Sequence, residues 1–449
     1  MSTTTAPAEL RRDFGGAIIE PDDPAYAEAS RTVLASGSPD LVLRATSEAD
    51  VRAAVRFAAG ARLPLSVRGG GHSFAGFGTS DGGVVLDIRA LDSVELVDQD
   101  RGLVRVAGGA TWGQVTDALA PYGLAISSGD TRTVGVGGLT LSGGIGWKVR
   151  KHGLALDSLV AAEVVLASGE PVRASADERP ELFWALRGGG GNLGVVTSFE
   201  FAAQPTTDVF FGALSFPAAE AGTVLSGLAD YLRTGPEEVT ANVVMANPFA
   251  GGPDAPVEIL VSYDGDDPDQ AARALDPIRA LGTVLSDSVR LTPYADVLEE
   301  GLVPPPGIEF WTRSAFVERE SVAEVLRILV EVGAAEGSPI INLRSVGGAF
   351  SRVPGDATAF AHRRAELMIA TTLVGPGPVV SAAKPGLAAV WTDLAPHVTG
   401  AYANFLSAAD DADVAAVYPA DTYRRLAAVK REYDPGNVFS HNHNVPPAT

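Results

Sequence analysis

Glycine stands in three tight clusters: RGGGHS at 68–73, GVGGLTLSGGIG at 135–146 and RGGGGNLG at 187–194. Such runs are too rich in glycine for the interior of a regular element. They predict loop-rich surfaces where another body comes close to the backbone. Gly189, Gly191 and Gly194 spell G-x-G-x-x-G, but a helical stretch (ELFWALR) precedes them and a strand-like one (VVTSFEF) follows. A dinucleotide-binding turn needs the reverse order, strand and then helix. No phosphate-binding G-x-x-x-x-G-K motif occurs either. What remains is turns whose successive N–H groups form anion-binding nests. RGGGHS then presents His72 to whatever the nest holds.

At 449 residues the chain exceeds one ordinary core, and 46% apolar residues suffice for several. Leu41 to Leu43 read as a short strand. Ser47 and Asp50 fit a capping box ahead of Val51, Ala54, Val55 and Ala58 at helical spacing. LPLSVR, GVVLDI and GLVRVA read as strands, and TWGQVTDALAPYG as a helix closed by Gly123. After Pro205 the texture changes. Strand-like VEILVSYDG, PIINLRSVGGAF and ELMIATTLVG alternate with helical DPDQAARALDPIRALG and SVAEVLRILVEVG. This pattern predicts an antiparallel sheet covered by helices. From about residue 400 the chain changes again, ending in TYRRLAAVKREYDPGNVFSHNHNV.

The net charge of -21 argues against nucleic acid as a partner, because a polyanion would be repelled. The absence of cysteine excludes disulfides, thiolate metal sites and cysteine nucleophiles. The six histidines are scattered without metal-ligand spacing, so no metal is expected. No apolar run approaches a membrane span, and the N-terminus lacks a signal-peptide pattern, which makes a cytoplasmic protein the simplest reading.

The runs RGGGHSFAGFGTSDGGVVLDI, TVGVGGLTLSGGIGW, ELFWALRGGGGNLGVVTSFEF and YRRLAAVKREYDPGNVFSHNHNV together carry a resemblance. The chain resembles the berberine bridge enzyme-like oxidases, of the vanillyl-alcohol oxidase or p-cresol methylhydroxylase (PCMH-type) FAD-binding fold. The resemblance covers about residues 35–205 and 400–449 closely. It implies an α+β protein: a PCMH-type FAD-binding domain from 1–205 and 400–449, and a substrate-binding domain, 206–399, with a helix-covered antiparallel sheet.

The cofactor it implies is FAD, joined through its 8α-methyl carbon to His72. Many members add a cysteine bond to flavin C6. Thr131 takes that place here, so one covalent link is expected. Arg68, Gly69, Gly70, Gly71 and Ser73 would seat the pyrophosphate. Thr133, Val134, Gly135, Gly137, Gly138, Gly143, Gly144 and Gly146 would wrap the flavin and adenosine. Gly191, Asn192, Gly194 and Val196 would line the adenine side, and Asn442 and Asn444 the isoalloxazine edge. A valine at the position of Val134 accompanies dioxygen access in this family.

The implied reaction is oxidation of an alcohol, hydroxyl or amine centre of a sugar or secondary metabolite. Hydride goes to flavin N5, and O2 is the acceptor, giving H2O2. A dehydrogenase using another acceptor stays open, as do an unusual non-catalytic flavoprotein and a non-flavin glycine-rich protein. Oligomeric state is open between monomer and homodimer. The strand that carries a base in many members reads INLRSVGG, which places Asn342 and Arg344 toward substrate. Arginine cannot serve as an ordinary base; it would hold an anionic or carbonyl-rich group. Tyr402 and Asn404 in AYANF are then the catalytic candidates beside Arg344, with the cation lowering the phenol's pKa. Trp311 and Arg313 in FWTRSAF, and His152, complete the expected substrate contacts.

Overall fold

The computed structural model describes residues 6–301 and 303–449. Three large sheets, beside a two-stranded pair of Leu124–Ala125 with Gln204–Pro205, organise the described residues. The first runs, in order, Ala17–Ile19, Leu41–Arg44, Val84–Asp87 and Leu65–Arg68; the last three strands are parallel. The central strand Val84–Asp87 is buried along its whole length, which is why it reads as a continuous apolar run and not as an alternation. The helix Glu48–Ala61 crosses between Leu41–Arg44 and Leu65–Arg68, and Val51, Ala54, Val55 and Ala58 are its buried face. Ser47 caps it by accepting from the Asp50 N–H. Asp50 does not complete a box. Its carboxylate turns to the Gly15 and Thr46 N–H groups, at 2.6 and 2.9 Å.

The second sheet has five antiparallel strands: Val94–Asp98, Leu103–Ala107, Val195–Ala202, Leu159–Val165 and Pro171–Ser175. The third is an eight-stranded antiparallel sheet drawn from residues 209–376. The helices Ala221–Thr234, Pro268–Arg279, Val322–Gly333 and Gly377–Leu394 contribute the other half of its core. Gly377–Leu394 was not legible in the sequence, since Pro385 lies inside it.

The glycine-rich stretch corrects one expectation. It is not all loop. Val136–Leu141 is a short helix containing Gly137 and Gly138. A Cβ on Gly137 would stand 3.1 Å from the Gly108 carbonyl, so the helix needs glycine to lie against its neighbour.

The C-terminal tail is fastened by a residue that sequence reading missed. Lys430 is fully buried and donates to the carbonyls of Asn192 (2.9 Å) and Phe439 (2.7 Å), with Asp434 as its ion-pair partner at 3.3 Å. It lies on one helical face with the buried Leu426 and Ala427, a polar residue in an apolar phase. Asn192 adds a clamp: its amide donates to the His443 carbonyl and accepts from the Val445 N–H.

Candidate active site

The two glycine segments meet back to back. A Cβ on Gly70 would lie 2.2 Å from the Gly135 nitrogen, and one on Gly135 would lie 2.3 Å from the Gly70 nitrogen. Gly71 adds a positive φ of 74°. Side chains are excluded here because two backbones and a cavity share the space. That cavity holds about 690 Å³ and runs among all three sheets and the tail, within the range of cofactor and ligand sites.

Its lining contains Arg68, Gly69, Gly70, Gly71, His72, Ser73, Val134, Gly135, Gly137, Gly138, Gly191, Gly194, Val196 and Asn442. Other expected cofactor contacts are placed elsewhere. Gly143, Gly144 and Gly146 are packing glycines: a Cβ would strike the Tyr402 ring, Ala155 and the Ser128 carbonyl, respectively. Asn192 clamps the tail, and Asn444 accepts from Lys430 at 3.4 Å. Thr133 faces outward and donates to the Glu300 carbonyl. None of these six residues lines the cavity.

Polar atoms left without protein partners test whether a cofactor fits. Arg68 is 1% exposed and donates to the Gly78 and Ala29 carbonyls, but its second terminal nitrogen, Nη2, is enclosed and unpaired. Burial lowers this guanidinium to about 10, with Asp87 acting the other way. His72 Nε2 and Asn442 Oδ1 are likewise enclosed and unpaired. Burial lowers the His72 pKa, against a backbone bond with Thr133, so its imidazole is neutral. A buried cationic donor, a neutral imidazole and an amide oxygen lining one elongated cavity match a large ligand carrying phosphate and a polar ring.

The other side of the cavity carries Tyr402, Asn404, Phe405, Phe310, Ile340, Asn342, Arg344 and Thr372. The Tyr402 hydroxyl oxygen accepts from the Gly144 N–H (3.0 Å), the Ile145 N–H (3.3 Å) and the Asn404 amide (3.0 Å). Burial raises the Tyr402 pKa; those three donors, and then Arg344, oppose the rise without reversing it. This corrects the expectation that Arg344 leaves the phenol acidic. Arg344 is already engaged, with Nη2 2.5 Å from Asp130 Oδ2 and its guanidinium 5.0 Å over the Phe405 ring. Its charge is therefore not free for an anionic substrate, although Nε is enclosed and unpaired.

Three expected substrate contacts are not in the lining. Trp311 lies under Lys384, 3.6 Å from its Nζ, and Arg313 stacks on Trp391. Both partners belong to the helix Gly377–Leu394, on the far face of the sheet from the cavity. The strand Ile308–Glu318 turns its even-numbered residues inward: Phe310 lines the cavity, and Ser314 bonds the Tyr402 backbone. His152 lies 3.4 Å from Asp264, where Lys148 and Lys151 also converge. It belongs to a buried charge cluster outside the lining.

Comparison with known proteins agrees with this geometry. An FAD binding domain matches residues 39–175, and a berberine and berberine-like domain matches residues 401–446. The (R)-6-hydroxynicotine oxidase of Paenarthrobacter nicotinovorans is 33% identical over 96% of this chain and 97% of its own length. The chain belongs to the berberine-like family of FAD-linked oxidoreductases. The xylooligosaccharide oxidase of Thermothelomyces thermophilus is 30% identical over 92% of this chain and 88% of its own length. The crystal structure of 6-hydroxy-D-nicotine oxidase from Arthrobacter nicotinovorans superposes with a TM-score of 0.87 at 30% identity. It covers 99% of this chain and 100% of that one. This berberine-like protein is an FAD-dependent oxidoreductase of PCMH-type α+β fold, and its cofactor is FAD.

Proposed function

We propose that this protein is an oxidase. It takes two electrons from an alcohol, hydroxyl or amine centre of a small molecule and passes them to O2, giving H2O2. FAD, when bound, supplies the hydride-accepting ring. Residues 1–205 and 400–449 form the FAD-binding domain, and 206–399 the substrate-binding domain. His72 carries the single covalent link to the cofactor, a reading supported by its neutral, unpaired Nε2 on the cavity wall. The glycines at 69–71 and at 135, 137 and 138 would let the backbone approach the cofactor, and Arg68, whose enclosed Nη2 has no protein partner, would hold its phosphates. Val134, in the lining, leaves room for O2.

The observation that carries the chemistry is Tyr402. Three donors converge on the oxygen of this buried residue in the cavity wall. An oxygen so surrounded is built to carry negative charge. Tyr402 removes the substrate proton, Asn404 and the two backbone N–H groups stabilise the phenolate, and Arg344 and Asn342 orient the substrate. The test is acid precipitation followed by air reoxidation of reduced protein. Yellow colour is expected to stay with the pellet in the wild type and to move to the supernatant in His72→Ala. Dithionite-reduced wild type is expected to recover its visible spectrum promptly in air. Slow recovery would favour a dehydrogenase.

A further inference from the structure

The charged groups beside Tyr402 do not balance. Asp130 and Glu299 are brought together by backbone pairing: the Glu299 N–H donates to the Asp130 carbonyl (2.8 Å), and the Arg132 N–H donates to the Glu299 carbonyl (2.7 Å). Both residues line the cavity, and Arg344 is the cation beside them. Arg344 is committed to Asp130 at 2.5 Å. Glu299 is exposed to solvent where it lines the cavity, and its carboxylate has no hydrogen-bond or ion-pair partner among the described residues. Two residues further on, Gly301 packs so tightly that a Cβ would meet Thr133 Oγ1 at 2.7 Å and Thr131 Cγ2 at 2.8 Å, with His72 Cε1 at 3.9 Å. The segment is therefore held over the attachment histidine, and Glu299 is held at the cavity with it. Around these charges apolar Phe310, Ile340, Ala403 and Phe405 alternate with polar Asn342, Thr372 and Asn404.

We infer that Glu299 is a specificity-determining residue, pairing with a protonated amine on a substrate whose body is apolar or aromatic. The Asp130–Arg344 pair is neutral, so the surplus at this end is one carboxylate. A cation with an apolar body satisfies both the charge and the wall. A carboxylate-bearing substrate would meet Glu299 with like charge and find Arg344 already engaged. The chain's net charge of -21 draws cations toward the protein over longer range. Partial burial, and then the neighbouring Asp130, raise the Glu299 pKa, while Arg344 opposes; an incoming cation offsets the repulsion from Asp130.

This inference rests on the reading of the cavity as the FAD and substrate site. The test uses the flavin-loaded protein and three aromatic probes of similar size: phenethylamine, phenethyl alcohol and phenylacetate. Binding is measured by anaerobic calorimetry at neutral pH and low salt. In the wild type the expected order is amine tightest and carboxylate weakest. Glu299→Gln is expected to lower the amine-to-alcohol affinity ratio about fivefold, the worth of one partly exposed ion pair. Glu300→Gln, which removes the neighbouring carboxylate paired with Arg132 at 3.3 Å, is expected to leave that ratio unchanged. Equal affinity of wild type for amine and alcohol overturns the proposal. So does an unchanged ratio in Glu299→Gln, or an equal fall in both variants. A colourless wild type overturns the flavoprotein reading instead, which the spectrum of the same sample reports.

Discussion

At the scale of single residues, two kinds of site residue behave differently. His72 was legible because its neighbours are glycines, and a nest beside an imidazole says that something is bound there. Tyr402 was legible only as a candidate. What the sequence could not show is the ring of donors, because Gly144 and Ile145 lie more than 250 positions away along the chain. Those donors favour the phenolate while burial favours the phenol, and burial wins. The base is therefore protonated at neutral pH, with a pKa above the ordinary tyrosine value. A base must lose its proton to act, so kcat/KM is expected to rise with pH into the alkaline range. Tyr402→Phe is expected to lower kcat about 10²- to 10⁴-fold, to abolish that rise and to keep the bound flavin. A pH profile of substrate-dependent flavin reduction checks all three. A Phe variant with an unchanged alkaline limb would remove Tyr402 from the role.

At the scale of elements, strand parity decides which of the expected residues line the cavity. Asn342 and Arg344 were placed toward the cavity, and the structure puts them there. Trp311 and Arg313 were given the same direction and point the other way. Strand side chains alternate, so an error of one residue exchanges the two faces. Hydropathy could not choose between them. The sheet has helices on one face and the cavity and C-terminal segment on the other, so both faces of Ile308–Glu318 are largely covered. Trp311→Ala is accordingly expected to lower thermal stability by roughly 1–3 kcal/mol through lost packing against Lys384 and the helix core, with KM unchanged. Asn342→Ala is expected to raise KM with little change in melting temperature. Paired melting and steady-state measurements separate the two; a reversed pattern would mean that the strand register is wrong. Asp130 and Glu299 were missed for a related reason. They come from loops, where no periodicity marks an inward residue, and they become neighbours only through the bridge that joins Thr131 to Glu299.

At the scale of the whole molecule, a polar tail closes an apolar core. His443 is buried, with Nε2 3.2 Å from the Ala408 carbonyl, and burial lowers its pKa to about 4, against the pull of that carbonyl. The unfolded chain binds this proton near pH 6.5, and the folded chain only near 4. Between those values the unfolded state holds more protons, so stability falls as pH falls. The full contribution is roughly 3 kcal/mol. His362 is lowered by burial as well and adds to the slope in the same direction. His443→Gln is expected to flatten the loss of melting temperature between pH 6.5 and 4. Identical pH profiles for variant and wild type would place the acid sensitivity elsewhere.

The sequence alone showed that a large body approaches the backbone, because glycine placement reports such approach and one of its three clusters adjoins a histidine; the resemblance to the berberine bridge enzyme-like oxidases is what implied that this body is FAD. The sequence also determined most helices and strands, because periodicity is a local property. Only the tertiary structure decided what surrounds the reacting centre. The donors to Tyr402, the partner that engages Arg344, the inward face of Ile308–Glu318 and the unpaired carboxylate of Glu299 all arise between segments far apart in the chain. A contact of that kind leaves no local signature, since each residue's role is set by atoms that folding alone brings within a few ångströms of it.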